Sequence, residues 1–300
     1  MTEPLAEVSG QELWRWWQDA RQQAAIAHIP SFEIEWLLRE AAGLDRLHLY
    51  SGTIRNQEKV PLKLPLEEVM RLWQQRLEDS VPVQYLVGVA PWRQFSLTVS
   101  PAVLIPRPET ELLIDLAIAA TATNPELRQG HWGDLGTGSG AIALGIATAL
   151  PLAAIHAVDC SAEALAIAQI NAQRYNLTDR IQFHQGSWFQ PLSPLKSSLS
   201  GIISNPPYIP SQMVPELQPE VAKHEPKLAL DGGNDGLDSI RHLINTAPDY
   251  LQTDGIWLVE MMAGQAQTVA TLLHQQGSYR DIQIHADLAG VERFALAVKN

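Results

Sequence analysis

Apolar positions recur every three or four residues through the first eighty residues, the period that lines one face of a helix. In "SGQELWRWWQDARQQAAIAHI", Ser9 and Glu12 stand at capping-box spacing and helical spacing continues behind them. Pro30 and Ser31 stop that run and start the next, "FEIEWLLREAAG", which closes on Gly43. "LPLEEVMRLWQQRLED" predicts another amphipathic helix, with Pro65 near its first turn. Residues 1–80 thus predict a small all-helical domain.

The pattern changes at residue 81. "VPVQYLVGVAPWRQFSLTVS" alternates apolar and polar side chains, which predicts a β-hairpin with Gly88 and Pro91 in its turn. Hairpin and a Pro-rich linker occupy residues 81–108. Residues 109–300 then alternate apolar strands ("GHWGDL", "AAIHAVD", "RIQFHQ", "LSGIIS", "GIWLVEM", "DIQIHA", "RFALAVK") with helical segments. Such alternation predicts an α/β domain, a doubly wound and mostly parallel sheet with helices on both faces.

Composition adds limits. Five of nine tryptophans (Trp14, Trp16, Trp17, Trp36, Trp73) fall in the helical segment. Trp36 and Trp73 are expected in its core; Trp14, Trp16 and Trp17 cannot share one helix face, so one of them belongs near the surface. The formal net charge of -12 argues against a broad nucleic-acid-binding face. A single cysteine, Cys160, excludes an intramolecular disulfide and fits a reducing, cytoplasmic setting. "MTEPLAEVSG" has no secretory pattern. "GAIALGIATALPLAAIHAV" lacks charge over nearly a bilayer's span, but Pro151 and the preceding glycines predict a buried helix and strand rather than a membrane segment.

Two stretches carry chemistry. "DLGTGSGAIAL" places Gly136, Thr137, Gly138, Ser139 and Gly140 between a strand and its helix, where the backbone can bend sharply and present free N–H groups. Asp159 ends the next strand, in register to bind ribose hydroxyls. The loop alone does not separate a nicotinamide dinucleotide from another adenosine ligand. Asp134, just before it, suits a cationic methionine end better than a pyrophosphate, which favours S-adenosylmethionine.

The second stretch is "SNPPYIP". Following the strand "LSGIIS", it falls at the C-terminal edge of the sheet, beside the first strand. An amide or exocyclic amino nitrogen is a poor nucleophile because its lone pair is delocalised. The Asn205 side-chain carbonyl and the Pro206 backbone carbonyl can hold both N–H groups of a planar NH2 and favour its pyramidal form during attack. Tyr208 can stack on that planar group. Asn205, Pro206 and Tyr208 are the expected catalytic residues, and residues 205–208, Pro207 included, the expected substrate site. No HExxH or CxxC pair is present, and "DGGNDGLDSIRH" departs from a calcium loop at Gly233 and His242, so no metal is expected.

With these motifs stand "LYSG", "PVQYLVG", "LIPRPETE", "AVDCSAEAL", "EPKLALDGGNDGL" and "DLAGVERF". Together they resemble the release factor glutamine methyltransferases over nearly the whole chain. The resemblance implies a Rossmann-like domain that transfers a methyl group from S-adenosylmethionine to N5 of the GGQ glutamine of class 1 peptide chain release factors. It further implies that residues 136–140 and Asp159 bind the donor, that Trp188 borders its adenine, and that Asn205 lies between donor and acceptor. The helical domain would engage the release factor. Ser187 stands where the family often has an acid, and Met262 where it usually has glycine. Two other readings use the same motifs: a DNA adenine or cytosine amino-methyltransferase, and a non-enzymatic adaptor that binds donor and release factor.

Overall fold

The computed structural model describes residues 6–44, 46–122 and 124–300. The chain divides into two compact units, Met1–Gly88 with Pro219–His224, and Val89–Gln218 with Glu225–Asn300.

In the first unit, α1 (Gly10–Ile26) starts at Ser9, whose Oγ accepts the Glu12 N–H at 3.2 Å. Helix α2 (Ser31–Leu37) widens into a π turn, Leu38–Ala42, and stops at Gly43. That residue has φ +78°, a left-handed cap that glycine adopts without a Cβ clash. Helices α3 (Arg46–Tyr50), α4 (Leu66–Glu78) and α5 (Val83–Val87) follow. The unit is not all-helical, however. Strand β1 (Ala6–Val8) pairs antiparallel with β2 (Val60–Leu62), two three-residue segments too short to show a period in sequence.

The core of this unit gathers Leu13, Trp17, Ile34, Leu37 and Trp73. Trp36, expected inside, is only half-buried, and the Arg39 guanidinium lies 5.4 Å from its ring. Trp14 and Trp16 are also half-buried, as a shared helix demands. The unit extends past residue 80 to Gly88 because Val83 joins the same core. It also takes in the short helix α9 (Pro219–His224). Buried Arg76 reaches Glu33 at 2.5 Å and Glu220 of α9 at 2.7 Å. Arg76 is thus a charged contact between α4 and α9, its charge already balanced by Glu33.

The second unit opens with a hairpin, β3 (Val89–Trp92) and β4 (Phe95–Thr98). Its position corrects the expectation: residues 83–87 are helical, Gly88 (φ +72°) caps them, and Pro91 lies within a strand opposite Ser96. Five residues satisfy a two-residue alternation and one helical turn equally well. Here Pro82 at the N-cap and Gly88 at the C-cap decide for the helix. The turn falls at residues 93 and 94, with Arg93 at φ +49° and its guanidinium on Asp115.

Beyond the hairpin come α6 (Leu112–Ala120), β5 (His131–Leu135), α7 (Ala141–Ala149), β6 (Ala154–Asp159), α8 (Ala162–Arg174), β7 (Ile181–Gln185) and β8 (Leu199–Ser204). Then α10 (Asp238–Thr246), β9 (Leu251–Glu260), α11 (Ala266–Gln276), β10 (Tyr279–Ala286) and β11 (Glu292–Lys299) complete the unit. The sheet order is β10-β11-β9-β8-β5-β6-β7, parallel from β9 to β7, with β10 and β11 antiparallel. Separate apolar cores cover its two faces, as a doubly wound sheet requires. All six residues of central β8 are buried, and Gly201 is obligatory there because a Cβ would lie 2.2 Å from the Trp132 ring.

The chain leaves β5 toward β6 and β7 on one side and returns to β8 and β9 on the other. A crevice therefore opens at the C-terminal ends of β5 and β8, where the order reverses. The uncharged stretch 140–158 folds as α7 and β6. Among the described residues no helix is long and apolar enough to cross a membrane.

Candidate active site

A cavity of about 490 Å³ occupies this crevice. That size suits a small-molecule ligand. On one side lie Gly136, Thr137, Gly138, Ser139, Asp159, Ser187 and Trp188; on the other lie Arg107, Thr110, Asn205 and Pro207. The structure thus brings the glycine loop, Asp159, Trp188 and Asn205 around one space. Gly140, Pro206 and Tyr208 are not part of the lining.

The glycine loop is shaped by backbone conformation. Gly136, Gly138 and Gly140 have φ of +78°, +53° and +82°. A Cβ on Gly138 would meet nothing within 4 Å, so this turn is open on the cavity side. Gly140 plays a different part, capping α7 and packing so tightly that a Cβ would meet Ala168 at 3.1 Å. The N–H groups of Gly136 and Thr137 both bond to Val158 O at 2.9 Å, tying the loop to the end of β6.

Asp134 lies under this loop. Its Oδ2 accepts from Thr137 Oγ1 at 2.5 Å and from the Ala143 N–H at 3.0 Å. Burial pushes its pKa up to about 7, and among the described residues Oδ1 has no hydrogen-bond partner. The expectation that Asp134 faces a cationic ligand is therefore corrected: the side chain is 2% exposed and outside the lining, drawn inward by the loop it supports. Asp159 does reach the cavity. Its Oδ2 accepts the Gly138 N–H and its Oδ1 the Ser161 N–H, both at 2.9 Å, so the carboxylate is fixed at the strand end. Trp188 is half-buried at φ +49°, with its ring 3.7 Å from where a Gly136 Cβ would stand.

The opposite wall is built from distant segments. Asn205 Nδ2 donates to Thr110 Oγ1 at 3.1 Å, and Thr110 Oγ1 donates to Glu260 Oε2 at 2.7 Å. Tyr208 OH donates to the second oxygen, Glu260 Oε1, at 3.1 Å. Glu260 is 2% exposed, and burial pushes its pKa up to about 7. Burial, followed by the charge of Glu260, raises the Tyr208 phenol as well. Pro206 is buried, yet among the described residues no backbone N–H donates to its carbonyl.

Arg107 holds the rim of this wall. Its Nη2 donates to Glu225 Oε1 at 2.6 Å, and the Trp92 indole donates to its carbonyl at 3.0 Å. Burial raises the Glu225 pKa, against the opposing pull of Arg107 and of the Ile105 backbone N–H. Thr110, Glu260, Arg107 and Glu225 escaped residue-level reading. They sit inside "IPRPETE", "EMMAGQ" and "EPKLAL", segments whose meeting depends on topology.

The departure at Met262 is resolved locally. Met262 has no positive φ; its N–H bonds to Gln265 Oε1 at 3.0 Å, and Gly264 (φ +91°) makes the sharp turn instead. Ser187 lines the cavity beside Trp188.

Residues 111–223 match the methyltransferase small domain family. The chain is 53% identical to the release factor glutamine methyltransferase of Synechocystis sp., over 97% of both chains. It is 50% identical to that of Thermosynechococcus vestitus, over 97% of this chain and 99% of the relative. Against that of Coxiella burnetii it keeps 34% identity over 93% of this chain and 95% of the relative. In fold it resembles the hMettl16 catalytic domain solved with MAT2A 3'UTR hairpin 1. That match has a TM-score of 0.54 and 15% identity, covering 77% of this chain and 79% of that one.

Proposed function

Because the chain belongs to the release factor glutamine methyltransferase family, we propose that it methylates the side-chain amide of a release factor glutamine in the cavity between the glycine loop and Asn205. It is an S-adenosylmethionine-dependent methyltransferase. The target we assign is N5 of the GGQ glutamine of class 1 peptide chain release factors, met in the cytoplasm. The first unit is the element that engages the release factor.

The residues present fit the donor. Gly138 leaves open space above the loop, Asp159 presents a fixed carboxylate for ribose hydroxyls, and Trp188 presents a ring for adenine. When bound, S-adenosylmethionine supplies an electrophilic methyl group on a cationic sulfur. The chain's own work lies on the opposite wall.

One observation carries the reading: the Asn205 amide nitrogen is engaged by Thr110, which turns the carbonyl oxygen the other way. That oxygen and the Pro206 carbonyl are two acceptors for the two N–H groups of a glutamine amide. Held between fixed acceptors, the nitrogen is favoured in the pyramidal form in which its lone pair is available. Orientation supplies much of the acceleration, and no base need remove a proton first: the new N–C bond would form as the methyl–sulfur bond breaks, and the surplus N–H proton would then pass to solvent. Tyr208, anchored by Glu260, backs the planar group from outside the lining.

Incubating the full chain with methyl-labelled donor and either unmethylated release factor or duplex DNA tests this. Label on the release factor glutamine is expected. Transfer to DNA alone would replace the reading with amino-methylation of a base, which the net charge of -12 opposes.

A further inference from the structure

We propose that buried Glu260, acting through Thr110, is a positioning residue that sets which end of the Asn205 amide faces the substrate. The inference rests on the glutamine-methylating reading above and extends it to residues outside the Asn-Pro-Pro-Tyr segment.

An ionised carboxylate only accepts, so Glu260 obliges both Thr110 and Tyr208 to donate their single hydroxyl protons to it. Thr110 Oγ1 then has lone pairs but no proton to offer Asn205. The Asn205 group 3.1 Å away must be its NH2, and the carbonyl must lie on the other side. Were the polarity of Glu260 reversed, Thr110 could donate to Asn205, the amide would flip, and NH2 would meet NH2 at the substrate. An amide has nearly the same shape in both orientations, so packing alone selects poorly between them.

The placement supports this role. Glu260 is the last residue of β9, which neighbours β8, the strand that leads into Asn205. Thr110 is 4% exposed, reaches the cavity and touches both partners. The groups acting on Glu260 are Thr110, Tyr208, the Arg293 cation and the Glu109 anion; Arg293 is itself paired with Asp287 at 2.6 Å. Burial dominates these influences and brings the carboxyl near neutrality, where protonation would reverse one of its two bonds.

The test uses the full-length protein with Glu260→Gln, Thr110→Val and Thr110→Ser. Single-turnover methylation is measured at saturating donor and release factor across pH, and donor affinity by calorimetry. The Asn205 side-chain NH2 signal is followed by NMR, assigned through Asn205→Asp. Glu260→Gln and Thr110→Val should lose ~10²-fold in turnover with donor affinity within about twofold of wild type. Thr110→Ser, which keeps the hydroxyl, should retain most activity. Wild-type turnover should fall as pH drops below about 7, an acid limb that Glu260→Gln lacks. Slow hydrogen exchange at the Asn205 NH2 should be lost in both damaging variants.

Wild-type turnover in Glu260→Gln, or Thr110→Ser as impaired as Thr110→Val, overturns the role. A wild-type protein that methylates no release factor would count against the proposed substrate instead. The Asn205 exchange then decides the positioning role alone: unchanged protection in the variants overturns it, lost protection supports it.

Discussion

The two walls of the cavity are built in opposite ways. On the glycine-loop side, residues 136–139 and Asp159 follow directly from β5 and β6, neighbouring strands whose ends bring them together. Their polar groups satisfy one another through short-range bonds: Thr137 to Asp134, Gly138 to Asp159. On the Asn205 side, Thr110, Asn205, Tyr208 and Glu260 come from segments up to 150 residues apart. A local wall tolerates the loss of one contact, because its shape resides in the backbone. A wall assembled from distant side chains depends on each bond for its direction, and errors there appear in turnover rather than in binding.

Asn205→Ala should have the largest effect and break the Asn205 wall alone. Loss of one preorganised contact to the reacting group typically lowers turnover ~10²–10³-fold, roughly 2.7–4 kcal/mol. Donor affinity by calorimetry should barely move. Equal losses in both quantities would mean that the walls are not separable.

Asp159→Ala is the converse. A charged hydrogen bond is worth roughly 1.5–3 kcal/mol, so donor affinity should fall about 10- to 150-fold. Turnover at saturating donor should stay near wild type. Unchanged affinity would remove Asp159 from the ribose site.

Asp134→Asn sharpens the glycine-loop side further. The Asp134 pKa is raised from 3.8 to about 7 on folding, so the folded chain holds a proton that the unfolded chain releases. The contribution of this group is full below pH 3.8 and is lost as pH rises toward 7. Thermal melts should show Asp134→Asn losing less stability than wild type across that window. Parallel curves would mean that Asp134 is ionised throughout.

The smallest change concerns Ser187, which lines the cavity. Ser187→Asp restores the acid common in the family and should tighten donor binding by about 0.5–1.5 kcal/mol, the worth of one hydrogen bond. Weaker binding in calorimetry would show that this position does not meet the adenosine end.

Helix α6, just after the Pro-rich linker, was not among the expected elements. The alternation of strands and helices from β5 onward, the glycine turn and the Asn205 turn were readable along the chain. Each is written in contiguous residues, through a two-residue alternation, a cluster of small residues or a proline pair. The helices of the first unit announced themselves through their caps, Ser9 and Gly43. Three-residue strands β1 and β2 left no period to detect, and five residues at 83–87 fitted helix and strand alike. Tertiary structure alone decided that Trp36 stays half-exposed, that Asp134 turns inward, and that α9 belongs with the first unit through Arg76. It also decided the meeting of Thr110, Asn205, Tyr208 and Glu260. Periodicity reports which face of an element is buried, whereas the direction of a side-chain hydrogen bond depends on which distant donor or acceptor the fold sets opposite it.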